Sequence, residues 1–80
     1  MEKIYIMEPY EIEVATGGLS ITYTVKKEED GKYLILQEEE ELGKISGIVS
    51  EKGITWSTDD DIDNLLLESI GKAIEAEENL

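Results

Sequence analysis

Apolar and polar residues alternate over the first three quarters of the chain, and then the period changes. Ile4, Ile6, Tyr10, Ile12 and Val14 share one parity, the two-residue repeat of a strand with one buried face. Glu8 interrupts that parity. Pro9 sits on the other parity and has no N–H for a ladder, so the strand expected over 2–15 is an edge, or breaks there. Gly17-Gly18 suits the two positive φ angles of a type I′ hairpin turn. The next strand, 19–28, sets Leu19, Ile21, Tyr23 and Val25 on one face. A two-residue turn pairs Val14 with Ile21, Ile12 with Tyr23 and Tyr10 with Val25, while Glu11 and Glu13 oppose Thr24 and Thr22. Turn chemistry and hydrophobic pattern therefore name the same register.

Asp30-Gly31 marks a second turn, leading into a strand over 32–37. A two-residue loop there pairs Val25 with Leu36. That register sends Tyr33 and Ile35 to the opposite face, beside Tyr5 and Met7. Extended further, it would bury Glu38 and Glu40, a heavy cost for unpaired carboxylates. Pairing is thus expected to end or bulge near Gln37, leaving Glu38, Glu39, Glu40 and Glu41 in solvent. A last hairpin joins 44–50 to 54–57 through Lys52-Gly53. It places Trp56 beside Val49 in the core, with Gly47 as a candidate bulge.

Beyond residue 58 the repeat is helical. Thr58 can cap a helix over 59–78, with Asp61 at its third position. Asp59, Asp60, Asp61 and Asp63 then fill a first turn whose dipole favours negative charge. Ile62, Leu65, Leu66, Ser69, Ile70 and Ala73 form the expected core stripe, flanked by Leu67 and Ile74. Gly71 falls opposite that stripe, against solvent or a closely packed neighbour. Residues 75–80 are expected to fray. The elements predict one α+β domain over 1–80, an antiparallel meander of four or five strands with a C-terminal helix across one face. The other face must be polar or meet a partner.

Composition narrows the chemistry. The 80 residues hold no cysteine, histidine or arginine. Disulfides, thiolate zinc sites and the commonest general base are excluded, and no serine sits in a recognisable triad pattern, so binding is expected rather than catalysis. Twenty acidic residues oppose seven lysines, a net charge of −13. Such a chain repels phosphate backbones and anionic bilayers, so no direct nucleic-acid or membrane partner is expected. No apolar run approaches the roughly 20 residues of a membrane span, and the opening residues lack a leader pattern, which makes the cytoplasm the expected location. Asp59, Asp61 and Asp63 match the first three ligand positions of a calcium loop. Asn64 and Ile70 then replace its glycine and its glutamate, so no metal or cofactor is expected.

What remains is an acidic surface. Its densest parts are Glu38, Glu39, Glu40 and Glu41 together with Asp59, Asp60, Asp61, Asp63, Glu68, Glu75, Glu77 and Glu78. Rows of carboxylates can occupy the lysine and arginine forks that a partner uses for phosphates. In size and charge, with no shared motif, the chain resembles small phage-type proteins that block restriction, repair or CRISPR enzymes. That resemblance implies an inhibitor that mimics nucleic acid and engages a protein with a basic surface. The alternative is a structural domain that forms a homodimer through an uncovered sheet face bearing Tyr5, Met7, Tyr33 and Ile35, with the charge serving solubility.

Overall fold

The computed structural model describes residues 8–80. Five strands, β1 (Tyr10–Thr16), β2 (Leu19–Lys27), β3 (Tyr33–Gln37), β4 (Glu40–Ser50) and β5 (Gly53–Thr58), precede one helix, α1 (Asn64–Glu78). The sheet is an antiparallel meander in the order β1-β2-β3-β4-β5. It curls as a half-barrel, so the helix in its concavity meets both edge strands, β1 and β5. This is the expected α+β architecture. The part of the first strand expected before residue 8, with Tyr5 and Met7, lies outside the described residues, and β1 begins immediately after Pro9.

The β1–β2 hairpin has the expected register, from Tyr10↔Val25 through Ile12↔Tyr23 to Val14↔Ile21. Gly17 and Gly18 carry φ of +55° and +82°, as a type I′ turn requires. The second hairpin differs by one residue. Val25 pairs with Ile35, not Leu36, and Lys27 with Tyr33. The Glu28 N–H donates to the Lys32 carbonyl and the Gly31 N–H to that of Glu28. Gly31 sits at φ +89° as the left-handed residue that ends a three-residue loop, where a two-residue turn was expected. One residue of slip exchanges the faces. Tyr33 and Ile35 therefore point at the helix, 6% and 0% exposed, and Leu34 and Leu36 take the outer face. The expected outer cluster is corrected accordingly: neither Tyr33 nor Ile35 is available there.

The bulge lies at Leu42 and Gly43, where Ile35 pairs with Gly43 but Leu36 with Glu41. Gly47, the expected site, is regular and faces Trp56. The extra residue lets pairing run on to Gln37↔Glu40, so β4 begins four residues earlier than expected. Glu38 and Glu39 form the turn itself, at φ +50° and +69°. A left-handed conformation costs a residue with a side chain roughly 1–2 kcal/mol. Replacing the pair by Asn-Gly, the favoured type I′ dipeptide, should therefore stabilise the protein by about 1 kcal/mol, read as a higher urea midpoint with an unchanged slope. An unaltered midpoint would show that the turn is not strained.

The last turn is Glu51-Lys52, one residue before the expected one. Val49 pairs with Ile54 and Gly47 with Trp56. The register moves by two, so Trp56 keeps its expected side.

The helix starts five residues late. Thr58 ends β5, and its hydroxyl donates to the Lys44 carbonyl at 2.7 Å while accepting from the Asp60 N–H at 3.0 Å. The Asp60 carboxylate accepts from the Lys44 N–H at 2.8 Å. These bonds tie residues 58–60 to β4 and leave the capping to Asp63, which accepts from the Leu65 N–H at 3.0 Å. No acidic residue lies in the first turn, contrary to expectation. At the other end Asn79 adopts φ +59°, and the Leu80 N–H reaches the Glu75 carbonyl at 2.8 Å. This left-handed cap holds the end that was expected to fray.

The buried face of the helix is Leu67, Ile70, Gly71 and Ile74, rotated from the expected stripe. It closes on Ile12, Val14, Tyr23, Val25, Tyr33, Ile35 and Ile45 of the sheet. Gly71 explains the rotation. A Cβ there would lie 2.3 Å from Trp56 Cδ1, and one at Gly47 would lie 3.0 Å from Cζ3 of the same ring. The indole fills the space between two bare backbones, and the helix turns that side inward to meet it. Leu65, expected in the core, is left 75% exposed.

Candidate acidic binding surface

The structure divides the twelve candidate carboxylates into those bound internally and those left outward. Glu75 and Glu78 belong to the first group. Glu75 accepts from the Trp56 indole N–H at 2.7 Å, the partner that a half-buried tryptophan needs. Glu78 accepts from the Tyr10 hydroxyl at 2.5 Å and from the Tyr33 hydroxyl at 3.1 Å. Lys27 stands 3.9 Å from the same carboxylate and over the Tyr33 ring, 5.4 Å from its centroid. Asp60 and Asp63 are the loop and helix caps described above. The roles of Glu75, Glu78 and Asp60 depend on residues far away along the chain, which the charge pattern could not reveal, whereas the Asp63 cap is local.

The Glu78 site has a signature in pH. Burial, then the Glu78 hydrogen bond and charge, raise the Tyr10 hydroxyl far above its ordinary value of 10.0. Tyr33 is raised as well, by burial first and Glu78 next, with Lys27 opposing. The unfolded chain then loses these protons near pH 10 while the folded protein keeps them. Stability is complete below pH 10 and falls as pH rises beyond it. Urea midpoints measured from neutral pH upward should be level to about pH 9 and decline past about pH 10. Glu78→Gln should lessen the decline without removing it, because burial is the first cause.

The outward group is Glu38, Glu39, Glu40, Glu41, Asp59, Asp61, Glu68 and Glu77, all exposed. Six of them, all but Glu68 and Glu77, lie on β4, on the turn that leads into it, or on the loop that packs against it. β5 ends at Thr58 opposite Ile45, which pairs in turn with Tyr33, so the loop before α1 leaves the sheet level with the start of β3 and lies along β4. A Cβ at Gly43 would lie 2.7 Å from that of Asp60, so Asp60 rests on the β4 backbone two residues from Glu41. The bare Gly43, at φ +150°, is what lets Asp60 lie directly on β4 at this point. Two cations, Lys32 and Lys44, line a shallow pocket with Asp59 and Asp60, and Lys44 is paired with Glu28 at 3.0 Å. That hydrogen bond and charge raise the Lys44 ammonium above its ordinary value. Glu77 lies at the opposite end of the helix, away from this cluster. Glu11 and Glu13, which the sequence marks only as the polar side of a strand, add two outward carboxylates on the edge strand β1.

Two ion pairs, Lys27–Glu78 and Lys44–Glu28, are formed among the described residues. Neither pair engages Glu38, Glu39, Glu40, Glu41, Asp59 or Asp61. No group of three or more potential metal ligands occurs among the described residues. No helix of the described residues is long and apolar enough to cross a membrane. Comparison with protein-family models, with curated proteins and with solved structures finds no match to this chain.

Proposed function

We propose that the chain is a cytoplasmic protein-binding module that docks its acidic surface on a basic protein. In its sharpest form it occupies lysine and arginine sites that the partner uses for nucleic-acid phosphates. The observation that carries this reading is the run of exposed carboxylates from Glu38 to Glu41, with exposed Asp59 and Asp61 on a loop whose Asp60 rests on Gly43 of β4, none of these exposed acids held in an ion pair among the described residues. The turn adds support. Two glutamates hold left-handed angles where Asn-Gly would be cheaper, and strain of this kind gathers at functional sites. Glu75 and Glu78 fall outside the contact surface, because they hold Trp56 and the tyrosines.

Immobilised protein should retain basic proteins from a lysate at about 0.05 M salt and release them by about 0.5 M, since exposed charge pairs are screened over that range. A short DNA duplex added at low salt should release the same proteins. Changing all four of Glu38, Glu39, Glu40 and Glu41 to Gln should abolish retention. Retention that no nucleic acid displaces would remove the mimic, and retention unaffected by the four substitutions would remove the acidic surface.

A further inference from the structure

We infer that the molecule also carries a groove for an apolar anchor on a basic partner segment, so that the partner is recognised by shape as well as by charge. The inference rests on the acidic-surface reading above and adds to it a contact at the start of α1. The groove, about 620 Å³, opens between the β1–β2 turn and the first two turns of α1. Ala15 and Thr16 line one wall, Leu65 and Leu66 the other, with Tyr23 between them. Its volume is in the range of sites that hold a ligand-sized group.

Leu65 is the residue that the fold does not account for. Of the three consecutive leucines 65–67, Leu67 enters the core and Leu66 is half-buried. Leu65 remains 75% exposed at the mouth of the groove, and Leu19, which pairs with Thr16 on the wall, is 70% exposed. Neither side chain contributes appreciably to the packed interior. Leu65 is thus an apolar part of the lining that water covers unless something else does, and Leu19 lies on the strand beside that wall.

Charge selects the occupant. Asp63 and Glu68 line the groove, and Asp63 continues the acidic run of the preceding loop. Lys72 is its single cation, at the end farther along the helix. A second copy of a chain with net charge −13 is repelled from this rim, as is an anionic bilayer. A segment with lysines or arginines flanking a bulky apolar side chain satisfies both features: the cations meet Asp63 and Glu68 while the anchor covers Leu65. Such helix-in-groove recognition places apolar anchors at helical spacing.

The test is a titration of the 15N-labelled protein with two synthetic peptides of about 12 residues, three helical turns, with equal lysine content. One carries leucine once per turn, the other serine at those positions. Tighter binding of the leucine peptide, about tenfold or more as burial of one leucine side chain implies, with shifts centred on Ala15, Gly17, Leu65 and Ser69, is the expected result. Leu65→Gln should bring the leucine peptide to the affinity of the serine peptide, and unchanged amide shifts elsewhere would show that the variant is folded. Equal binding of both peptides, indifferent to Leu65→Gln, would overturn the groove and leave the acidic reading standing. Failure of both peptides to bind at low salt would overturn the acidic reading itself. Groove shifts that grow with protein concentration alone would assign it to a second copy and overturn the inference.

Discussion

Gly71→Ala should destabilise the protein by about 3 kcal/mol, although alanine favours a helix over glycine by about 1 kcal/mol. The added Cβ would lie 2.3, 2.4 and 2.6 Å from three atoms of the Trp56 ring. The ring cannot retreat toward the sheet, because the Gly47 backbone is against its other side. Helix and strand must separate, or the indole must leave. Overpacking of this kind typically costs 1–3 kcal/mol. Displacement of the ring also loses the hydrogen bond to Glu75 and the edge contact with Tyr33, whose centroid lies 5.6 Å away, and a hydrogen bond to a charged group contributes about 1.5–3 kcal/mol. For a domain of this size the melting temperature should fall by roughly 15 °C. The sign should reverse when the obstruction is removed. With Trp56→Ala as background, Gly71→Ala should be neutral or stabilising by up to about 1 kcal/mol. Urea unfolding followed by far-ultraviolet circular dichroism, on the four proteins of that cycle, measures both. A destabilisation that persists without the indole would show that contact with Trp56 is not the reason for the glycine.

Glu78→Ala should rank second, at about 2–3 kcal/mol. It removes one carboxylate and leaves two hydroxyls, of Tyr10 and Tyr33, without their acceptor. Each half-buried donor that loses its partner costs about 1 kcal/mol or a little more, since water can reach part of the site. The Lys27 pair adds little, being 3.9 Å long and partly exposed. Glu78→Gln keeps one acceptor oxygen and should cost about half as much. Urea midpoints followed by Trp56 fluorescence rank the two variants, and equal losses for both would show that charge, not hydrogen-bond acceptance, matters at this position.

These two sites show where sequence reasoning stops. The first hairpin was legible because two independent signals agreed, Gly17-Gly18 at the turn and matched parity in the strands. The second was not, because Asp-Gly serves turns of two lengths that differ by one residue, and parity alone does not choose between them. Tyr33 and Ile35 changed faces as a result, and with them the proposed dimer surface. Thr58 is a good cap by type, yet tertiary bonds to Lys44 claim it for the strand end, and Asp63 takes the role. Gly71 could be placed against solvent or against a neighbour; its partner, Trp56, is 15 residues earlier in the sequence and becomes adjacent only on folding. The acidic candidates were legible as composition. Their division into outward groups and internal acceptors was not, because Glu75 and Glu78 find partners 19 and 68 residues away.

The Tyr10–Glu78 bond also bears on the order in which the chain folds. Every strand pairs with its neighbour in sequence, so each hairpin closes a short loop and can form early. The bond between the helix end and β1 joins residues 68 apart, a separation that is costly to close until the intervening hairpins have formed. It is therefore expected to form late in assembly and to be released early in unfolding. Loss of the Glu78 carboxylate should therefore hasten unfolding and leave the folding rate close to its original value. Kinetically, Glu78 is a latch on a structure that has already formed.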